Sequence, residues 1–456
     1  MKKLAKLFAV ILILILFLNN VAAQNVNIPD PNFKSELVGN TDINTNGDSE
    51  IQVSEAEAFT GNINCSFREI SNLEGIQYFV NIKSLDCSTN KLTVLDVSQN
   101  TKLTSLDCTN NKITTLVINP QLTSLSCNYN LIDVLDVSNG VKLTSIECKG
   151  NQLSDLDLSA NPLITGLDCS LNQLTSLAIS DNIALVRVNC SYNKLAGLDV
   201  SHNLMLTSLY CSGNKLPEID VRKNTQLNNL NISGNLLDKV NLSQNTQLLN
   251  LNCNQNNLTQ LDLSNNLLLN SLSCFGNGLT GLDLSNLTKI EKIYCAENML
   301  INLDVSKNTA LYELWCENNN LRSLNVQNGN NSIMEEFHAK YNDSLNCIQV
   351  DDPTYSTQNW KSKDTHCSFS SDCNYPASNA HFIISKNILF YPNPATSEIH
   401  FPYYSDVTIF NMQGRKLGHY GHVSVIDTSQ LPSGIYVVEA RNRTQNISVM
   451  TKLVKL

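Results

Sequence analysis

Residues 143–211 read LTSIECKGNQLSDLDLSANPL, ITGLDCSLNQLTSLAISDNIA, LVRVNCSYNKLAGLDVSHNLM, LTSLYC, with Cys148, Cys169, Cys190 and Cys211 spaced by 21 residues. A fixed period of this length marks stacked supersecondary units rather than a single globular core. Each unit splits into two similar halves, LxxLxCxxN and LxxLDVSxN. Period 2 within LxxLxC turns Leu and Cys inward and the residue between them outward. Six or seven apolar side chains stabilise one coil by at most ~2–3 kcal/mol each. Ordering its residues costs ~1.5 kcal/mol each, which is more. One coil therefore cannot stand alone, and stacking must supply the missing burial.

Working outward, the inward column runs Cys87, Cys108, Cys127, Cys148, Cys169, Cys190, Cys211, Ile232, Cys253, Cys274, Cys295, Cys316, with Ala339 in a last irregular turn. An Ile or Ala in a Cys slot says that the slot takes a small apolar group, which is how a free buried Cys behaves. In-register side chains point the same way, so the column is expected to be reduced. No Cys/His pairing within the repeats suggests zinc. An asparagine column of the same period, Asn90 to Asn319, is expected to bond to the backbone of neighbouring coils. A second-half column from Asp96 to Asp304 is expected to form Asx turns.

The first half-repeat matches LxxLxLxxNxL, with Cys in the third leucine slot. The doubled unit resembles the 21-residue, two-strand leucine-rich repeats common in bacterial surface proteins. That resemblance implies a mainly β solenoid of about 12 coils over 82–345, with a small helical N-terminal cap over 24–81 and a C-terminal cap and linker over 346–385.

The outward column reads Asp86, Asp107, Ser126, Glu147, Asp168, Asn189, Tyr210, Asn231, Asn252, Ser273, Tyr294, Trp315, and His338 continues it. It starts acidic and ends aromatic. Tyr and Trp are enriched in binding hot spots, so Tyr294, Trp315, Tyr312, Phe275, His338 and Tyr210 are the candidate ligand-binding residues.

Asn44 to Glu55 resembles an EF-hand loop, with Asn44, Asn46 and Asp48 at positions 1, 3 and 5 and Glu55 at position 12. The candidate ligands for a structural calcium in the cap are Asn44, Asn46, Asp48, Glu50, Gln52 and Glu55. Asn44 in place of Asp, and Ser49 in place of Gly at position 6, depart from the pattern.

Cys347, Cys367 and Cys373 break the period. In a secreted, non-repetitive segment a disulfide is the default. Cys347–Cys373 is the favoured pair, with Cys367–Cys373 and Cys347–Cys367 as alternatives.

From 386 the period gives way to alternating strands punctuated by Gly and Pro, as in a small β-sandwich. YPNPATSEIHF, VTIFNMQGRKL, LPSGIYVVEA and KLVKL, in that order, resemble the C-terminal sorting domain of type IX secretion cargo. The resemblance implies export through the type IX machinery by residues 386–456. It places Tyr391, Pro392, Asn393 and Pro394 at the start of the domain, Gly414 at a strand turn, and residues 434–437 in a core strand.

At the other end, Lys2, Lys3 and Lys6 precede an apolar run from Leu7 to Leu18 and a small-residue stretch before Gln24. This reads as a signal peptide over 1–23. The run is too short for a membrane span, so the mature chain is expected to have none. Net charge is −10, which disfavours nucleic acid as a partner.

The repeats contain no HExxH, GxSxG or Walker loop. No enzyme is expected. The reading is a secreted or cell-surface leucine-rich protein that binds an extracellular protein or polysaccharide. The alternative is a structural spacer of the surface without a discrete ligand.

Overall fold

The computed structural model describes residues 24–373, 375, 395–411, 415–442 and 447–456. The signal-peptide segment, residues 391–394 and Gly414 lie outside the described residues. The chain divides into two units, at residues 371 and 372.

The first unit opens on two short helices, α1 (Pro31–Val38) and α2 (Val53–Ala58). Asp30 caps α1, accepting from the N–H groups of Asn32 and Phe33, while Phe33 and Leu37 are buried. Ser71 also bonds to Asp30, which fastens the cap to the first coil.

Beyond the cap lies a 14-stranded parallel sheet. Its strands are three residues each, from Asn62–Asn64 to Glu336–His338. Equivalent residues of successive coils pair without stagger, as in Ser208↔Arg187, Leu209↔Val188 and Tyr210↔Asn189. The leucines of the middle position and the Cys slots are buried along the whole unit. Each slot N–H also donates across to the next coil, as Cys190 does to the Tyr210 carbonyl (2.8 Å).

Two rungs extend the regular series. Cys65 follows the first strand and occupies the same slot, although the step to Cys87 is 22 residues. Ala339 occupies the last, and the strand before it pairs with Glu313–Trp315. The twelve ladder cysteines are all free and buried. Burial pushes the Cys65, Cys190, Cys253 and Cys295 thiols up to about 12 and the others well above the ordinary thiol range.

The second half of each coil behaves differently from a continuous second strand. Paired strands form there only at the two ends: Val94–Asp96 with Thr115–Val117, and the four-stranded set from Asn302–Asp304 to Ser368–Ser370. That second set reaches past 345. The segment expected to be only cap and linker contributes two strands, Cys347–Gln349 and Ser368–Ser370, and a helix, α3 (Pro353–Asn359). Trp360 closes the stack, lying on Phe337 with ring centroids 4.5 Å apart. Cys347 and Cys373 are disulfide-bonded, while Cys367 is a free thiol.

Among its described residues the second unit is one four-stranded antiparallel sheet rather than two packed layers. The order is Lys416–Asp427, Glu398–Asn411, Gly434–Asn442, Ile447–Lys455. Gly434–Asn442 is an interior strand, and Tyr436, Val438 and Ala440 alternate onto the core with Ile399, Val407 and Ile409.

Candidate functional site on the sheet face

Two asparagine ladders hold the coils so that the outer column stays in line. In the first, Asn193 donates to the Cys169 carbonyl of the preceding coil (3.0 Å) and to Cys190 of its own (3.1 Å). Its Oδ1 accepts from the Leu174 N–H (2.9 Å). The same set recurs from Asn90 to Asn342. The second ladder is absent from the sequence reading, although the closing Asn of LxxLDVSxN signals it. There Asn203 donates to Ile179 and Asn182 carbonyls, and its Oδ1 has no partner.

The residue two past each slot, from Phe67 to Tyr341, has φ between +50° and +68° at all fourteen rungs. Only four of these are glycine. Where Gly150 and Gly213 stand, a Cβ would meet the Tyr129 or Tyr192 ring of the preceding coil at 2.6 Å. The glycine there makes room for a tyrosine laid across the next coil.

The acidic second-half column makes Asx turns. Asp136, Asp157 and Asp199 each accept from the N–H two residues on. A side-chain hydrogen bond from Arg222 and its backbone N–H lower Asp220 to about 2.

On the sheet face the outer column is continuous: Ser273↔Tyr294, Tyr294↔Trp315 and Trp315↔His338 are direct neighbours. The Tyr294 and Trp315 rings meet edge to face at 5.5 Å, and His338 lies tilted on Trp315 at 4.7 Å. Such pairs contribute about 0.5–1.5 kcal/mol beyond area burial, so the stack holds its geometry. Trp315 remains 37% exposed. Tyr294 bonds through its hydroxyl to Glu313, which also pairs with Lys292 at 2.7 Å. Burial and then that carboxylate push the Tyr294 hydroxyl up to about 12. Burial raises Glu313, but hydrogen bonds from Lys292 and Tyr294 outweigh this and lower it. His338 is anchored by Glu336 and Ser362.

The structure therefore joins Tyr294, Trp315 and His338. Tyr312 sits beside them, its ring under the Lys292 ammonium at 5.2 Å. Phe275 and Tyr210 make no ring contact with the stack among the described residues. Tyr210 is in the same column, but Asn231, Asn252 and Ser273 separate it from Tyr294.

The cap loop is knit by its own side chains. Asn44 donates to the Val38 and Asp48 carbonyls. Glu55 accepts from Thr45, Asn46 and Gln52 N–H groups and closes a capping box on α2. Glu50 pairs with Lys34. Asn46, Asp48 and Gln52 converge on one another and are the side chains that could face a cation. Among the described residues no three His, Cys, Asp or Glu side chains group as metal ligands, and no helix is long and apolar enough to cross a membrane.

Comparison with known proteins bears on both units. Residues 389–455 match the secretion system C-terminal sorting domain family. This sorting domain implies a secreted or cell-surface protein. A comparison with curated protein sequences finds no match. Among solved structures, the chain is similar to the functional domain of InlJ from Listeria monocytogenes, described as including a cysteine ladder. The TM-score is 0.68 at 23% identity, over 95% of this chain and 100% of that one. It is also similar to the internalin InlF of the same organism (TM-score 0.60, 21% identity, 70% and 100% covered). A leucine-rich repeat protein of Leptospira interrogans follows (TM-score 0.53, 17% identity, 70% and 97% covered). At these identities the likeness establishes the leucine-rich repeat solenoid fold.

Proposed function

We propose that this is a non-enzymatic binding protein, exported through its C-terminal sorting domain and carrying its ligand site on the sheet face around Tyr294, Trp315 and His338. Residues 1–23 act as a signal peptide, and the product works outside the cell or on its outer surface. The observation that carries this reading is Trp315: a large ring, more than a third exposed, in a column where most other rungs carry small polar or acidic side chains. Its neighbours on both sides fix its orientation, so little side-chain entropy is lost when a ligand covers it.

The test is binding of the full chain to a panel of extracellular matrix proteins and polysaccharides, compared with the Tyr294→Ala, Trp315→Ala double variant. Saturable binding that falls at least ~10-fold in the variant, with unchanged circular dichroism, is the expected result. Binding indifferent to the double substitution, or none at all, leaves the spacer reading instead. Deleting 386–456 should hold the protein inside the cell envelope, and normal surface display of the truncated chain would refute the export route.

A further inference from the structure

Next to the aromatic stack the same face changes character. The rungs at 207–212, 228–233, 249–254 and 270–275 contain no Asp, Glu, Lys or Arg, whereas the rungs at 83–88, 144–149, 291–296 and 312–317 all carry charge. Exposed protein surface is ordinarily a quarter to a third charged, so four successive uncharged rungs are a departure.

The outer column shows what replaces the charge. At Asp86 and Asp168 the carboxylate accepts from the N–H two residues on and from the Ser88 or Ser170 hydroxyl. At Asn231 the amide oxygen makes the same turn, accepting from the Ser233 N–H and hydroxyl. At Asn252 it accepts from the Asn254 N–H. A backbone N–H can only donate, so the oxygen must face the turn. The Nδ2 groups of Asn231 and Asn252 then point away from it, and neither has a hydrogen-bond partner among the described residues. Asp and Asn serve the fold equally in this slot. What Asn adds is an outward donor and the absence of charge.

We infer that the ligand is a neutral polysaccharide, lying across the rungs from Tyr210 to Trp315. This rests on the binding role proposed for the Tyr294, Trp315 and His338 stack and assigns the chemistry of its partner. The stretch spans five rung steps of ~4.8 Å, about 24 Å, room for several sugar rings. Trp315 offers a rigid aromatic face to the C–H side of one ring. The Asn231 and Asn252 amides donate to hydroxyl oxygens further along. An anionic polymer would find no cation on these four rungs. A protein partner would be expected to meet an apolar interface centre, and this field is amide and hydroxyl with Leu249 as its one exposed aliphatic side chain.

The experiment is affinity electrophoresis of the full chain through gels containing a neutral glucan, mannan or xylan, or an anionic alginate or heparin, with a protein-binding panel run in parallel. The variants are Trp315→Ala and Asn252→Asp, the latter keeping the turn while removing the donor and adding charge. Retardation by at least one neutral polysaccharide, unaffected by 0.5 M salt (on the order of a 4 Å screening length) and weakened ~10-fold or more by each variant, is the expected result. Retardation by anionic polymers alone, by no polymer, or by neutral polymers equally in Asn252→Asp overturns the inference. Protein binding that Trp315→Ala abolishes and Asn252→Asp leaves intact also overturns it, while the binding role of the aromatic stack survives. Should neither variant alter any binding, both fall.

Discussion

The two arms of each coil meet the same requirement by different means. The first arm runs in a continuous parallel sheet, carries Cys in its inward slot, and is tied by asparagines whose amide N–H and C=O are both bonded. The second arm is unpaired through the middle coils. It carries Val, Leu or Ile in the matching slot, as at Val137, Leu158, Ile179 and Val200, and is tied by asparagines bonded through the N–H alone. Strand pairing sets the spacing of the first arm at ~4.8 Å, which leaves space for a thiol in each rung. The second-arm slot takes a larger aliphatic group both where its strands pair, as at Val97 and Val305, and where they do not, as at Val137 and Leu158. The difference teaches that slot volume belongs to the arm and not to strand pairing.

The largest expected effect separates the arms by pH. Folded thiols are raised by burial, so their contribution is complete below the unfolded thiol value of ~8.5 and is lost as pH climbs toward the folded value. Above ~8.5 each ladder thiol favours unfolding by about 1.4 kcal/mol per pH unit. Twelve such thiols would exhaust a typical stability of ~5–15 kcal/mol within about one further unit. Urea unfolding followed by circular dichroism should show the midpoint collapsing between pH 8 and 10. A flat midpoint across that range would break the claim that the first arm is a dry thiol column.

A smaller effect compares the two asparagines of one coil. Asn193→Ala strands two carbonyls and an N–H in the interior and should cost about 3–5 kcal/mol. Asn203→Ala leaves both carbonyls their backbone partners, the Asn182 and Leu185 N–H groups, and removes an unpaired oxygen, so it should cost only about 0.5–2 kcal/mol. Guanidinium unfolding of the two variants side by side gives the order. Equal losses would show that the unpaired oxygens of the second ladder are not a real asymmetry.

The smallest effect uses glycine. Gly213→Ala, at φ +63° and with Tyr192 in the path of its Cβ, should destabilise by about 1–2 kcal/mol. Gly197→Ala, on the second arm of the preceding coil with nothing near its Cβ, should be neutral or stabilising by up to ~1 kcal/mol. Thermal melts of the pair sharpen the contrast, and a stabilised Gly213→Ala would contradict it.

Much of this was legible in the residues. The 21-residue step fixes which side chains share a column, and the register Tyr294↔Trp315↔His338 follows from counting. The Asp96 to Asp304 column reads as Asx turns because Asp-x-Ser offers its own N–H at the right distance. Cys65 was less legible as a rung, because a 22-residue step hides it from a strict period. The cap loop reads equally as a calcium site and as a cap turn because ligand spacing and helix capping use the same residue types, and Glu55 closes a capping box on α2.

The sequence alone determined the stack, since a coil of this size cannot bury enough apolar surface by itself and a repeating pattern forces every neighbour into the same register. Only the tertiary structure decided which arm would pair, which amide atoms would be satisfied, and which rings would touch. Those outcomes depend on the spacing between coils and on the direction each side chain takes from its own turn, and neither distance nor direction is written in a period.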